Sequence, residues 1–369
     1  MNVPNRLTTS WRSRLLLVVA SFGFTLGVAE FAFRITHTFF GVDTITVANM
    51  RGVVLRGESA HYSPRAFTNF GLRPGSGSVN DRGFLGWPSD HALEKPANVV
   101  RIACLGASTT QSGNKAGVAG SYPYQLERML EREAVQRVEV MNFGVSGWTT
   151  AETLVNYLLT VRDYSPDIVI VHHSINDVAP RLYRDYRNDY THFRTTWSPP
   201  PYTLWQQALV TVSDLGTWLL LHTTGTPHQR QFITRPRRGP IRLDEENRLD
   251  PTTELAFRRN VNAIAEYQQL RGGRTVFLTM PHSHVAGQIA NIQQIGILDH
   301  NRILRELAAG PNRPNRVLVD AERAFPSTTD PDRSFFRDSV HVSPEGNELK
   351  ARLVTQSLFA AGWLTARGS

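Results

Sequence analysis

Four short segments carry the side chains with the clearest chemical potential: Gly106-Ala107-Ser108-Thr109-Thr110, Asn142-Phe143-Gly144-Val145-Ser146-Gly147, Ser174-Ile175-Asn176-Asp177 and Asp338-Ser339-Val340-His341. In chain order they supply a serine, a flexible backbone donor, a side-chain amide and an Asp/His pair. Those are the parts needed for attack on an ester carbonyl. An aspartate three residues before a histidine can reach back to Nδ1–H. That fixes the tautomer and leaves Nε2 free to take a proton from a serine hydroxyl. The backbone N–H groups of Ser108 and Gly144 and the amide of Asn176 are candidate donors to a developing oxyanion. Each segment has a bland reading when taken alone. Gly-x-Ser after a strand is common, Thr109 and Thr110 suit a helix N-cap, Asn176-Asp177 suits an Asx turn, and Asp320 is an alternative partner for His341.

Each of the first three segments follows a buried apolar run, and that pattern defines the scaffold. Strands are predicted at Val99–Leu105, Val138–Phe143, Asp167–Val171, Thr275–Met280 and Arg316–Val319. Helices are predicted over Tyr122–Ala134, Thr150–Val161 and Leu255–Leu270, each with apolar residues at helical spacing, and over Pro344–Trp363 as the closing helix. Alternating strands and helices imply a parallel sheet covered on both faces, with functional residues just past the strand ends.

The four segments together resemble the SGNH hydrolases, the GDSL esterase/lipase family. The family's Ser, Gly, Asn and His match Ser108, Gly144, Asn176 and His341, with Asp338 as the histidine's partner. Lys95-Pro96 before the first strand and Pro166-Asp167 before the third agree as well. The resemblance runs from about Asn98 to the C-terminus and is to the membrane-tethered bacterial branch. It implies a flavodoxin-like three-layer α/β/α sandwich, a serine nucleophile, and no cofactor or metal. Two positions depart from the family pattern. Ala107 stands where Asp is usual, which predicts altered rigidity of the turn. Ser174 stands where Gly is usual, which would strain the backbone if φ were positive there.

Outside these segments the sequence predicts a membrane address. Arg6, Arg12 and Arg14 precede an apolar stretch from Leu15 to Phe33 interrupted only by Glu30 and closed by Arg34. At about 1.5 Å per residue it is just long enough to span a bilayer, with the arginines on the cytoplasmic side and the rest exported. Gly27-Val28-Ala29 offers the competing reading, a signal peptide cleaved near Ala29. The expected organisation is therefore an anchor or signal segment at 1–35, a Gly/Pro-rich lead-in at 36–97 and a catalytic domain at 98–369.

The catalytic domain carries an insertion at 181–251. It opens with Tyr183, Tyr186, Tyr190, Phe193 and Trp197 interleaved with Arg181, Arg184, Arg187 and Arg194. Pro199-Pro200-Pro201 follows, then an amphipathic helix around Leu204–Leu219 and a basic stretch from Arg230 to Arg238. This segment reads as a lid or cap whose aromatics stack on sugars or acyl chains, or as a peripheral subdomain whose aromatics fill a small core of their own.

Composition fits a folded chain: of 369 residues, 41 % are hydrophobic and 20 % charged. The formal net charge of +8 suits an anionic surface or an arginine-rich solvated one. No nucleic-acid motif accompanies it. The single cysteine, Cys104, lies in the first strand and reads as a small core hydrophobe. His172, His173, His282 and His284 lack carboxylate or thiolate companions at metal-site spacing.

The expected activity is thus hydrolysis of a carboxylic ester, of short acyl length, on an envelope carbohydrate or lipid. An acyltransferase using the same site and a non-catalytic glycan-binding envelope protein are the alternatives.

Overall fold

The computed structural model describes residues 10–40, 51, 54–55, 61–86, 91–112, 117–183, 185–194, 202–224, 248–285, 287–310, 313–330 and 334–368. Arg6, Arg184, Trp197, the Pro199–Pro201 run and the basic stretch 230–238 lie outside the described residues.

In chain order the elements are α1 (Trp11–Phe40), β1 (Tyr62–Arg65), β2 (Asn69–Leu72), β3 (Val99–Gly106), α2 (Ser108–Gln111), α3 (Tyr122–Glu133), β4 (Arg137–Gly144) and α4 (Thr150–Leu159). There follow β5 (Ile168–His172), α5 (Ile175–Arg181), α6 (Leu204–Val212), α7 (Asp214–Thr224), α8 (Leu255–Leu270) and β6 (Arg274–Leu278). The chain closes with α9 (Asn291–Ala308), β7 (Arg316–Val319), α10 (Ala321–Ala324) and α11 (Pro344–Ala360).

Five strands form one parallel sheet in the order β4-β3-β5-β6-β7. Numbered within the sheet this is 2-1-3-4-5, the order of the flavodoxin-like fold that the resemblance implies. Its switch point lies between β3 and β5. Side chains alternate across β3. Ile102 and Cys104 enter one core layer with α3 and α11, while Ala103 and Leu105 enter the other with α4, α8 and α9. Burial of Cys104 pushes its thiol far above the ordinary range, consistent with an inert core residue.

At the amino-terminal edge of the sheet, Lys95 Nζ lies 2.6 Å from Asp167 Oδ1, and the Asp167 Oδ2 accepts the Arg101 N–H at 2.7 Å. The two flanking dipeptides singled out in the sequence therefore meet. Arg101 itself is fully buried and donates to Glu139 Oε2 through Nε at 3.0 Å and Nη2 at 2.8 Å. The lead-in contributes the short strands β1 and β2 and a turn at Asn80–Gly83, in which the Gly83 N–H donates to Asn80 O at 3.0 Å.

The chain separates into two compact units. One comprises residues 1–62 and 198–228, the other residues 63–197 and 229–369. The first contains α1, α6 and α7. The 181–251 stretch, read from sequence as one insertion, is thus divided between them. α1 is a continuous helix whose Trp11–Thr36 segment has the length and apolar character of a membrane span or a signal sequence, with none of its most apolar window buried.

Candidate active site

The turn after β3 is shaped by glycine. A Cβ on Gly106 would stand 2.0 Å from Thr110 Oγ1 and 2.7 Å from His172 O. Only a bare backbone lets the chain leave the strand and begin α2 at once. Ala107 is buried with φ −107°, and its carbonyl accepts the N–H groups of Thr110 (3.1 Å) and Gln111 (2.8 Å). The missing aspartate therefore leaves a small buried residue at the root of the helix. Ser108 is the first residue of α2, so its N–H has no acceptor within that helix. Gly144, at the end of the neighbouring β4, lies against the same turn. A Cβ there would sit 2.3 Å from the Gln111 backbone nitrogen.

Ser108 and the Asp/His pair come together. Ser108 Oγ lies 2.8 Å from His341 Nε2, although the two residues are 233 positions apart. His341 Nδ1 lies 2.8 Å from Asp338 Oδ2 and 3.0 Å from Oδ1. The aspartate Oδ1 also accepts the backbone N–H groups of Val340 (3.0 Å) and His341 (2.9 Å). Partial burial pushes the Asp338 carboxyl upward. The two N–H donors and the histidine ring outweigh that, and it stays below its ordinary range, ionised beside the imidazole. The loop is pinned by Arg337 N–H to His341 O at 2.8 Å and ends at Ser343, whose Oγ accepts the Gly346 N–H at 3.2 Å and caps α11. Asp320, the alternative carboxylate, is instead bound by Arg305 at 2.7 and 2.8 Å.

The three candidate oxyanion donors differ in how committed they are. Asn176 stands in the first turn of α5, and its Nδ2 donates to Trp148 O at 2.8 Å. That bond orients the amide and leaves its second N–H for another acceptor. The Gly144 N–H already donates to Asn142 Oδ1 at 2.9 Å, and Asn142 Nδ2 in turn donates to Thr110 O at 3.1 Å. Ser174 has φ −170°, extended backbone that any residue adopts, so the expected conflict with serine does not arise. Its hydroxyl lies 3.2 Å from His300 Nδ1.

A layer of residues not singled out as functional from sequence holds these groups. Lys350, fully buried on α11, donates from Nζ to Thr109 O at 3.2 Å and lies 5.2 Å from the centre of the Tyr122 ring. Burial pushes its ammonium down to about 7. Asn347, three residues earlier on the same helix face, donates to Ser112 Oγ at 2.8 Å, so α11 clamps both ends of α2. The only sequence signal for this pair was their i, i+3 spacing.

Arg194 belonged to the Tyr/Arg run but acts as a brace. It donates to Gly147 O at 2.6 Å and Glu152 Oε1 at 2.5 Å, and Glu152 accepts the Thr149 N–H and hydroxyl. Tyr190 and Phe193 are buried. Tyr190 donates its hydroxyl to Asp177 at 3.1 Å, and Asp177 also accepts the N–H and hydroxyl of Thr150. Burial pushes the Asp177 carboxyl up to about 7 despite these donors.

Of the histidines considered for a metal, His282 and His284 lie with ring centres 4.7 Å apart, while His172 and His173 are tied into core bonds. His172 Nδ1 lies 3.1 Å from Leu278 O, and His173 Nε2 lies 2.8 Å from Thr153 Oγ1. Among the described residues no group of three His, Cys, Asp or Glu is arranged to hold a metal ion. A cavity of about 490 Å³ lies beside the loop that follows Gly144, lined by Phe143, Val145 and Trp148 together with Arg65, Phe67 and Arg82; no catalytic candidate lines it.

A family model described as the GDSL-like lipase/acylhydrolase family matches residues 104–349. Among solved structures, the acetyl xylan esterase AlAXEase aligns with a TM-score of 0.42 at 16% identity, covering 70% of this chain and 100% of that one. The lipase/acylhydrolase from Enterococcus faecalis aligns with a TM-score of 0.42 at 15% identity, covering 73% and 100%. An acetylxylan esterase from Geobacillus stearothermophilus, as a catalytic mutant, aligns with a TM-score of 0.41 at 15% identity, covering 70% and 94%. No curated protein matches the chain.

Proposed function

Because this chain belongs to the GDSL-like lipase/acylhydrolase family, we propose that it is an ester hydrolase in which Ser108, His341 and Asp338 form the triad. The observation that carries this assignment is the unbroken relay from Ser108 Oγ to His341 Nε2 at 2.8 Å and from His341 Nδ1 to Asp338 at 2.8 Å. His341 Nε2 takes the serine proton as Oγ bonds to the ester carbonyl carbon. The carbonyl oxygen becomes an oxyanion, held by the Ser108 N–H and the free N–H of Asn176, with the Gly144 N–H shared between it and Asn142. The imidazolium, steadied by Asp338, then protonates the leaving alkoxide as the C–O bond breaks. Water, deprotonated by the same Nε2, attacks the acyl-enzyme, and the serine recovers its proton as the acid leaves.

The substrate we assign is a short acyl ester on an envelope carbohydrate or lipid. The His341 and Asp338 side chains are 33% and 53% exposed, which supports a shallow site for a small acyl group on a bulky alcohol. The reading takes α1 as a retained anchor because its apolar stretch is long enough to span a bilayer, with Arg12 and Arg14 on the cytoplasmic side and the catalytic unit outside. The test is hydrolysis of p-nitrophenyl acetate by the full chain in detergent, with Ser108→Ala as control. A wild-type rate no higher than that of Ser108→Ala refutes the hydrolase. Transfer of acetyl to an added oligosaccharide at the expense of acetate release would reassign it as an acyltransferase.

A further inference from the structure

The unit built from α1, α6 and α7 has a chemistry of its own. Glu30 is the only charge within the apolar stretch of α1, and a carboxylate at that depth must be paired. It is paired by the start of α7. Its two oxygens accept Ser213 Oγ at 2.8 Å, the Asp214 N–H at 2.7 Å and the Leu215 N–H at 3.0 Å. Arg34, one turn on, donates to the same carboxylate at 2.7 Å and lies 3.3 Å from Asp214. Arg51 closes the cluster, donating to Val210 O at 3.0 Å and Asp214 Oδ1 at 2.6 Å. The orphan N–H groups of α7 are thereby satisfied by a residue of α1, which fixes where α7 begins along that helix.

Depth follows from this contact. Four residues of helix separate Glu30 from Arg34, a rise of about 6 Å. If Arg34 marks the outer end of the apolar span, the start of α7 lies below it. The hairpin is too short to cross: nine residues of α6 and eleven of α7 rise about 14 and 17 Å against a hydrocarbon core of about 30 Å. Its inner side buries Val210 and Leu220 with Val54, while Phe33 of α1 lies 6.0 Å from Trp218. Its outer side shows Leu204 (84% exposed), Trp205 (64%), Val212 (72%) and Leu219 (46%). Between Leu204 and Thr224 the only acidic or basic residues are Asp214, which is paired, and His222. A water-facing helix pair would carry more charge, whereas an apolar face with tryptophan suits the headgroup boundary.

The geometry points to α6–α7 as a second membrane-embedded element, an interfacial hairpin seated in the outer leaflet and docked on α1 through Glu30. This assignment rests on α1 being a retained span. The 202–224 segment is then part of the anchor, and its apolar face is covered by lipid.

The test uses the full chain in phosphatidylcholine/phosphatidylglycerol nanodiscs. Single cysteines labelled with bimane are placed at Trp205→Cys and Leu219→Cys, with Val18→Cys inside α1 and Glu348→Cys on α11 as references. Cys104 is fully buried and adds little background. Lipids carrying a spin-label quencher should quench positions 205 and 219 to within about twofold of position 18, and at least fivefold more than position 348. Quenching at 18 with positions 205 and 219 behaving like 348 would overturn the hairpin assignment and leave the anchor standing, as would shielding of 205 and 219 by a second copy or a protein partner. Loss of the residue 18 label from the mature chain, or no quenching there, would instead refute the retained span. Glu30→Ala should lower quenching at 219 at least twofold without changing it at 18; an unchanged value at 219 would refute docking through Glu30.

Discussion

Gly144→Ala tests whether the position of the nucleophile depends on close backbone approach. The added Cβ would stand 2.3 Å from Gln111 N, 2.8 Å from Thr110 C and 2.9 Å from Gln111 Cα, whereas ordinary contact begins at 3.4 Å. All three are backbone atoms, so no side chain can swing aside, and α2 must retreat from β4 by about 1 Å. On its far side the helix is already clamped by Lys350 and Asn347. The displacement therefore passes to Ser108, whose 2.8 Å bond to His341 has little slack. A misplacement of about 1 Å at a reacting atom costs about 10²-fold in rate. Overpacking of this kind costs about 1–3 kcal/mol in stability. The assay is kcat and KM on p-nitrophenyl acetate alongside thermal unfolding. Gly272→Ala is the control, because Gly272 has φ +76° but nothing within 4 Å of a Cβ, so it carries backbone strain alone. If folded Gly144→Ala keeps kcat within about threefold of wild type, or loses no more than Gly272→Ala, the close approach does not position Ser108.

Three further outcomes are expected. Asp338→Asn should lower kcat by about 10³-fold or more with KM little changed, because the carboxylate that holds His341 Nδ1–H is gone; steady-state kinetics checks it. Glu139→Ala leaves the buried Arg101 guanidinium without its carboxylate and should cost about 3 kcal/mol, read from urea unfolding, with kcat per folded molecule unchanged. Asp177 has a folded pKa raised to about 7 from 3.8. Between those values the folded state holds a proton that the unfolded state has lost, so this group's contribution to stability falls as pH rises from about 4 to about 7. Asp177→Asn should flatten that part of the stability–pH curve, and an unchanged slope would place the titration elsewhere.

The strands were readable because each is dominated by buried apolar residues, even where Arg101, Glu139 and Asn142 interrupt the run. α9 was not readable. Its buried stripe includes His300 and Asn301, which look like surface residues in sequence. In the fold His300 stacks on Phe257 with ring centres 4.0 Å apart, and Asn301 exchanges two hydrogen bonds with the Met280 backbone at 2.8 and 2.9 Å. Their burial depends on partners more than twenty residues away, which periodicity cannot register. The same reason hid Lys350: nothing near it in sequence indicates that a lysine can be buried, because its acceptor is the Thr109 carbonyl on another element.

The described parts of the 181–251 stretch go to two different places. Aromatics interleaved with arginines suggest a surface that stacks on a ligand, and one uninterrupted insertion suggests one moving part. Yet Tyr190 and Phe193 are buried, and Arg194 spends its guanidinium on Gly147 and Glu152. These residues brace the loop that carries Gly144, so their role is to hold still. The apolar residues after the proline run pack instead with α1 and Val54. A lid needs a hinge and few buried contacts at its root. The root of this insertion is Arg181, fully buried and bonded to Thr253 Oγ1 at 2.9 Å and Asp299 at 2.7 Å. The segment that leaves the third strand is therefore welded to the domain before it departs. Of the insertion, residues 198–228 fall in the unit that contains α1, while its beginning and its end stay with the sheet.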